Sequence, residues 1–211
     1  MQEVPDEDRP FNQQPLSHLD TTDDFTKLVA YYESVDRINW QKPSEVINKL
    51  GDLSDKTIVD LGSGTGYFTF RFIPLAASVI AVDIDERMID FIERHRADIP
   101  ETYNQKLEVR QAKPQDPNIG NKEADIVFLA NTYSYIENRI SYFRRLKSKL
   151  KPNGKITIVE YKKKQIPVGP PQDQRLPLYI VEQEMEKAGY KIMDSDDRTL
   201  PFQYILTVTP K

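Results

Sequence analysis

The stretch TIVDLGSGTGY, residues 57–67, limits what this chain can fold into more than any other segment. Its first five residues are β-branched or apolar apart from Asp60, the composition of a buried strand. Gly62, Gly64 and Gly66 follow at every second position, so the chain can turn sharply and bring its backbone against a ligand that a Cβ would push away. Phe68, Phe70 and Phe72 then predict a helix. A strand, a glycine turn and a helix N-terminus in succession form a nucleotide-binding corner of an open α/β sheet. In such sheets the crevice opens at the strand C-termini, and candidate site residues follow the strands.

The rest of the chain supplies the matching elements. Apolar runs at 78–82, 107–111, 125–130, 155–161, 190–193 and 202–209 predict six further strands. Helical spacing predicts helices over 25–34, 44–50, 86–97, 140–150 and 178–188, the last stopped by Gly189. Between the first two lies the segment RINWQKP, with the only tryptophan, Trp40. Pro152, Asn153 and Gly154 predict a turn into the strand at 155–161, and the proline-rich QIPVGPP after it predicts an irregular wall or lid. The expected fold is α/β: a Rossmann-like, seven-stranded, mostly parallel sheet with helices on both faces and an antiparallel terminal strand. Residues 1–24 are acidic and aperiodic and are expected to form a flexible arm. Residues 25–211 are expected to form one domain, with 25–51 as a helical cap.

Composition excludes several classes. With no cysteine the chain has no thiolate nucleophile, disulfide or cysteine metal site. Of the two histidines, His18 falls in the polar arm and His95 on the stripe of Met88, Ile92 and Ile99, where a core-edge residue is expected. A metal site is therefore not expected. The net charge of -4 gives no general attraction for nucleic acid, and the basic run from Arg144 to Lys164 reads as a solvated surface. No apolar run reaches membrane-spanning length. A cytoplasmic monomer or homodimer is expected, although an exported protein trimmed of its leader would begin with such a tail too.

The glycine spacing separates cofactor classes. The dinucleotide fingerprint G-x-G-x-x-G would need a glycine where Tyr67 stands. The pattern here is D-x-G-x-G-x-G, with a second acid, Asp83, about 20 residues beyond the loop at a strand end, where a carboxylate accepts from ribose hydroxyls. This resembles motif I of the class I S-adenosylmethionine-dependent methyltransferases. The resemblance runs from about Trp40 to the C-terminus and is closest to small-molecule enzymes of the ubiquinone and menaquinone biosynthesis type. WQKP, DIVFLANTYSYIEN, VGPP and LPFQY also resemble a bacterial subgroup of methyltransferases, many with a histidine pair where this chain has Ser134 and Tyr135.

The resemblance implies S-adenosyl-L-methionine as cofactor, held by Asp60, Gly62, Ser63, Gly64, Thr65, Gly66, Asp83 and Ile84, with Ala112 and Lys113 at the adenine end and Asn131 after the fourth strand. It implies a small-molecule methyl acceptor against Trp40, Gln41, Tyr133 and Gln203. Glu160, at the end of the fifth long strand, is the candidate general base. Two other functions stay open: a nicotinamide-dependent oxidoreductase, disfavoured by Tyr67, and a non-catalytic protein that keeps the cofactor fold. Cofactor-induced stabilisation separates the first, and turnover of labelled methyl groups the second.

Overall fold

The computed structural model describes residues 22–211, so the expected arm falls almost wholly outside the described residues, as does His18. Three helices come first: α1 (Thr22–Tyr32), α2 (Arg37–Gln41) and α3 (Pro43–Lys49). The chain then alternates through β1 (Thr57–Leu61), α4 (Thr69–Phe72), β2 (Ser78–Asp83), α5 (Glu86–Arg96), α6 (Glu101–Asn104), β3 (Leu107–Gln111), β4 (Ala124–Ala130), α7 (Arg139–Leu146) and β5 (Leu150–Tyr161). It closes with α8 (Leu178–Ala188), β6 (Tyr190–Asp196) and β7 (Gln203–Pro210).

The seven strands form one sheet in the order β3-β2-β1-β4-β5-β7-β6. All pairings are parallel except those of β7 with β5 and β6. From β1 the chain winds outward through β2 to β3, then returns to place β4 on the other side of β1. The sheet reverses direction there, and the crevice opens above the ends of β1 and β4.

Strand alternation feeds two cores. Val59 and Leu61 face a cluster with Phe143 and Leu146 of α7 and Val181 and Met185 of α8. Ile58 faces the opposite cluster with Val46 of α3, Phe68, Phe72 and Ile92 of α5. Phe128 anchors that second layer, its ring 4.7 Å from that of Phe68 and 5.1 Å from that of Phe72.

The RINWQKP segment carries a helical turn, α2, which ends at Lys42 in the left-handed region. Two local expectations need correction. The turn at Pro152 to Gly154 lies within β5. Ala124 pairs with Leu150 and Ile126 with Lys155, so 151–154 bulge out while both ends stay paired. His95 is exposed rather than core-edge; it lies over Phe91 at 4.1 Å and its Nδ1 meets the Phe91 carbonyl oxygen.

Truncating Phe128 to Ala removes the ring that packs on both Phe68 and Phe72, and should cost about 3–5 kcal/mol in urea unfolding. Ile126→Val on the same strand should cost only about 1 kcal/mol. Equal effects would show that Phe128 does not carry that layer.

Candidate active site

A cavity of about 450 Å³ opens at the ends of β1, β2 and β4, in the size range of small-molecule sites. The glycine loop forms its floor through Gly62, Ser63, Gly64 and Thr65. Asp83 and Ile84 stand on one side, Ala112, Lys113 and Pro114 beyond them, and Asn131, Thr132 and Tyr135 opposite. Leu28 and Tyr32 of α1 and Arg37 of α2 close it over.

The loop keeps its shape through few bonds. Gly62 and Ser63 donate their N–H groups to the Val82 carbonyl at 2.7 and 3.0 Å. Asp83 accepts from the Gly64 N–H through Oδ2 at 2.8 Å and from the Asp85 N–H through Oδ1 at 3.0 Å. The carboxylate thus binds the loop and keeps lone pairs toward the cavity. Burial raises its pKa, while the N–H groups of Asp85 and Gly64 pull it back. Of the three glycines, Gly64 combines a positive φ of +54° with an open side, where a Cβ would come 3.4 Å from the Tyr32 ring. Ser63 Oγ is buried on the cavity floor with no partner, the kind of atom a polar ligand satisfies.

Two residues expected at the cofactor serve the scaffold instead. Asp60 does not line the cavity and accepts from the Thr69 hydroxyl at 2.6 Å, tying β1 to the start of α4. Its burial raises its pKa to about 6. Gly66 has its Cβ space filled by Phe70 at 2.7 Å, so its φ of +85° serves helix packing and not ligand approach.

The residues expected at the acceptor stand behind the cavity wall. Tyr133 is fully buried, packs on Phe143 at 4.9 Å and donates its hydroxyl to Glu184 at 2.8 Å. Gln41 and Gln203 are also wholly buried; Gln41 accepts from Arg37, and Gln203 donates to Asn131. Trp40 leans on Tyr161, with ring centroids 5.8 Å apart. Glu160 lies under the turn after β4 and accepts from the Ser134 N–H at 3.2 Å, with the Ser134 hydroxyl at 3.5 Å. Burial pushes its pKa up to about 7, against the N–H groups of Ser134, Tyr161 and Tyr133.

Arg37, within the segment expected as a helical cap, carries a contact that the sequence did not mark. The Arg37 guanidinium sits 3.8 Å above the Tyr67 ring and donates to the Tyr32 carbonyl at 2.8 Å. Arg71 covers Tyr67 at 3.7 Å, so the residue standing at the third glycine of the dinucleotide fingerprint is packed beside two cations. Burial lowers the Arg37 pKa, while Tyr161, Tyr67 and Glu33 act to hold its charge. Glu33 also accepts from the Thr65 hydroxyl and latches the end of α1 to the loop. Only the position of RINWQKP just upstream of the glycine strand hinted at such a cover.

The sheet order and the crevice define a Rossmann-like architecture. Residues 59–156 match the methyltransferase domain family. The chain is 27% identical over 115 residues to the mitochondrial ubiquinone biosynthesis O-methyltransferase of Schizosaccharomyces pombe, a match covering 54% of this chain and 41% of that protein. It is 29% identical over 145 residues to an uncharacterized methyltransferase of Mycobacterium tuberculosis, covering 68% and 54%. The chain thus spans about half the length of these relatives or less. Among solved structures, a SAM-dependent methyltransferase from Aquifex aeolicus superposes with a TM-score of 0.79 at 19% identity, covering 88% of this chain and 96% of that one. The glycopeptide N-methyltransferase MtfA complexed with S-adenosylmethionine superposes at 0.67 and 13% identity, covering 80% and 87%. The chain is thus similar to S-adenosylmethionine-dependent methyltransferases in the domain matched by residues 59–156 and in its fold.

Asp83→Asn should weaken S-adenosylhomocysteine binding by about 1.5–3 kcal/mol, because the amide loses charge and one of two acceptors. Gly64→Val should weaken it further, by placing a branched side chain at positive φ against Tyr32. Wild-type affinity in both variants by calorimetry would exclude this floor as the binding surface.

Proposed function

We propose that the protein transfers the methyl group of S-adenosylmethionine to a small-molecule acceptor by in-line displacement. The observation that carries the reading is the conjunction at one cavity of an open Gly64, an orphaned Ser63 hydroxyl and the doubly anchored Asp83. These residues fit the cofactor: Asp83 would accept from its ribose, Ser63 and the Gly64 backbone would face its amino acid part, and Ala112, Lys113 and Pro114 would bound its adenine. Bound S-adenosylmethionine supplies a methyl group that is already electrophilic, so the protein's work is orientation, exclusion of water and proton removal. Ile84, Leu28 and Met88 line the cavity with apolar surface, which excludes water.

A small-molecule acceptor agrees with the activity of the ubiquinone biosynthesis relative and with a cavity roofed by α1 and α2. It would reach the cavity beside Tyr135, which is 53% exposed and lines the wall above Glu160. Glu160 is our candidate proton acceptor. A carboxylate of pKa about 7 is matched to removing a proton near neutral pH. Neither it nor Ser134, whose hydroxyl it meets at 3.5 Å, lines the cavity, so an acceptor's proton would reach it only with a shift of the turn after β4. Trp40, Gln41, Tyr133 and Gln203 would then shape the acceptor wall from behind, Gln203 by holding Asn131 and Gln41 by holding Arg37.

Glu160→Gln tests the assignment in two ways. As a base, Glu160 should carry about a hundredfold or more in methyl transfer to an acceptor found by mass spectrometry of a methylated metabolite extract, with S-adenosylhomocysteine affinity little changed. Its folded pKa of about 7 lies above the ordinary 4.5, so the folded chain holds the proton more tightly and ionisation penalises the fold as pH rises from 4.5 to 7. Wild type should therefore lose on the order of 3 kcal/mol relative to Glu160→Gln as pH rises through that window. Unchanged turnover would remove Glu160 from the chemistry, and parallel stability curves would mean that its carboxyl is not held neutral.

A further inference from the structure

The loop after β5, residues 162–171, is gathered by Arg175 over its proline-rich half. Pro167, Pro170 and Pro171 have no N–H to donate, so the segment can make few bonds of its own. The Arg175 guanidinium, 6% exposed, donates instead to three of its carbonyls: Pro170 at 2.6 Å, Lys164 at 2.8 Å and Val168 at 3.2 Å. One planar cation with several donors can span three acceptors that a shorter or single-headed side chain cannot.

The clamp presses the loop onto an aromatic stack. Gly169, at φ +84°, lies so close to Tyr161 that a Cβ would come 2.7 Å from the ring. Tyr161 is buried at the end of β5 and carries Trp40 on its other contact, 5.8 Å away. Trp40 belongs to α2, whose first residue is Arg37, and Arg37 lines the cavity. The α2 turn has five residues, ends on a left-handed Lys42 and has no side-chain cap, so its position depends on what it rests on.

We propose that Arg175 is a positioning residue for the cavity: by holding the loop closed it seats Gly169 on Tyr161 and Tyr161 on Trp40, and so sets the place of α2 and Arg37. Arg175 is not among the residues that line the cavity and acts only through this stack. The inference rests on reading the cavity as the cofactor site.

Trp40 is the only tryptophan, so its emission reports the stack directly. Arg175→Ala should shift Trp40 emission to the red, increase its quenching by acrylamide and weaken S-adenosylhomocysteine binding about fivefold or more. Arg175→Lys, which can hold part of the carbonyl set, should fall between Arg175→Ala and wild type. Gly169→Ala should move Trp40 emission with Arg175 intact, and it carries the test if Arg175→Ala does not fold. Arg144→Ala, an exposed arginine bonded to the Lys187 carbonyl, should change neither readout. A lower melting temperature with Trp40 emission and ligand affinity at wild-type values would overturn the proposal and leave Arg175 a structural clamp. Weakened affinity with unmoved Trp40 emission would overturn it too. Wild-type protein that binds no S-adenosylhomocysteine would instead sink the cofactor reading, and Trp40 emission in the absence of ligand would then decide the fate of the stack.

Discussion

Asp83 accepts from the Gly64 and Asp85 N–H groups at 2.8 and 3.0 Å, and the form of the cavity depends on that one carboxylate. It stands at the end of β2, beside β1 in the sheet, so it binds a loop from one strand to the end of its neighbour. Without that tie, a loop with three glycines would have many conformations open to it, each costing entropy to remove. The tie also holds the acid itself. A carboxylate bonded at both oxygens is pre-aimed, and its remaining lone pairs face where donors from a ribose would arrive.

The second requirement is a roof. The α1 and α2 helices press on the glycine loop from above: Tyr32 lies against Gly64, Glu33 meets Thr65, and Arg37 covers Tyr67. These contacts exclude solvent from a floor whose working groups are backbone amides and one carboxylate, which strengthens each polar contact a ligand makes there. The cover rests on aromatic rings and on a clamped loop more than 100 residues away in sequence, so the site draws on both ends of the described chain.

How much of this could be read in the sequence follows from how local each feature is. The floor was legible because the strand, Gly62, Gly64 and Asp83 act through backbone geometry that their own spacing dictates. The seven strands and the Gly189 helix stop were legible for the same reason. Asp60 has the motif's identity, yet its side chain takes the Thr69 hydroxyl, a contact that the motif does not announce. The turn after β4 directs Tyr133 to Phe143 and Glu184, and no period in the sequence carries that direction. Gln203 and Glu160 sit on β7 and β5, where pairing of Tyr161 with Gln203 and of Glu160 with Tyr204 decides which face each side chain takes. Arg37 was missed because its role comes from tertiary packing over Tyr67, and nothing within its own short turn marks it.

The central claim is that this corner takes S-adenosylmethionine and not a dinucleotide, since Tyr67, packed beside Arg37 and Arg71, stands where the dinucleotide fingerprint needs a glycine. Calorimetric titration of the wild-type protein with S-adenosylhomocysteine, and separately with NAD, tests it most directly. The account predicts one saturable site for S-adenosylhomocysteine and no heat of binding for NAD. Saturable NAD binding with no response to S-adenosylhomocysteine would contradict it.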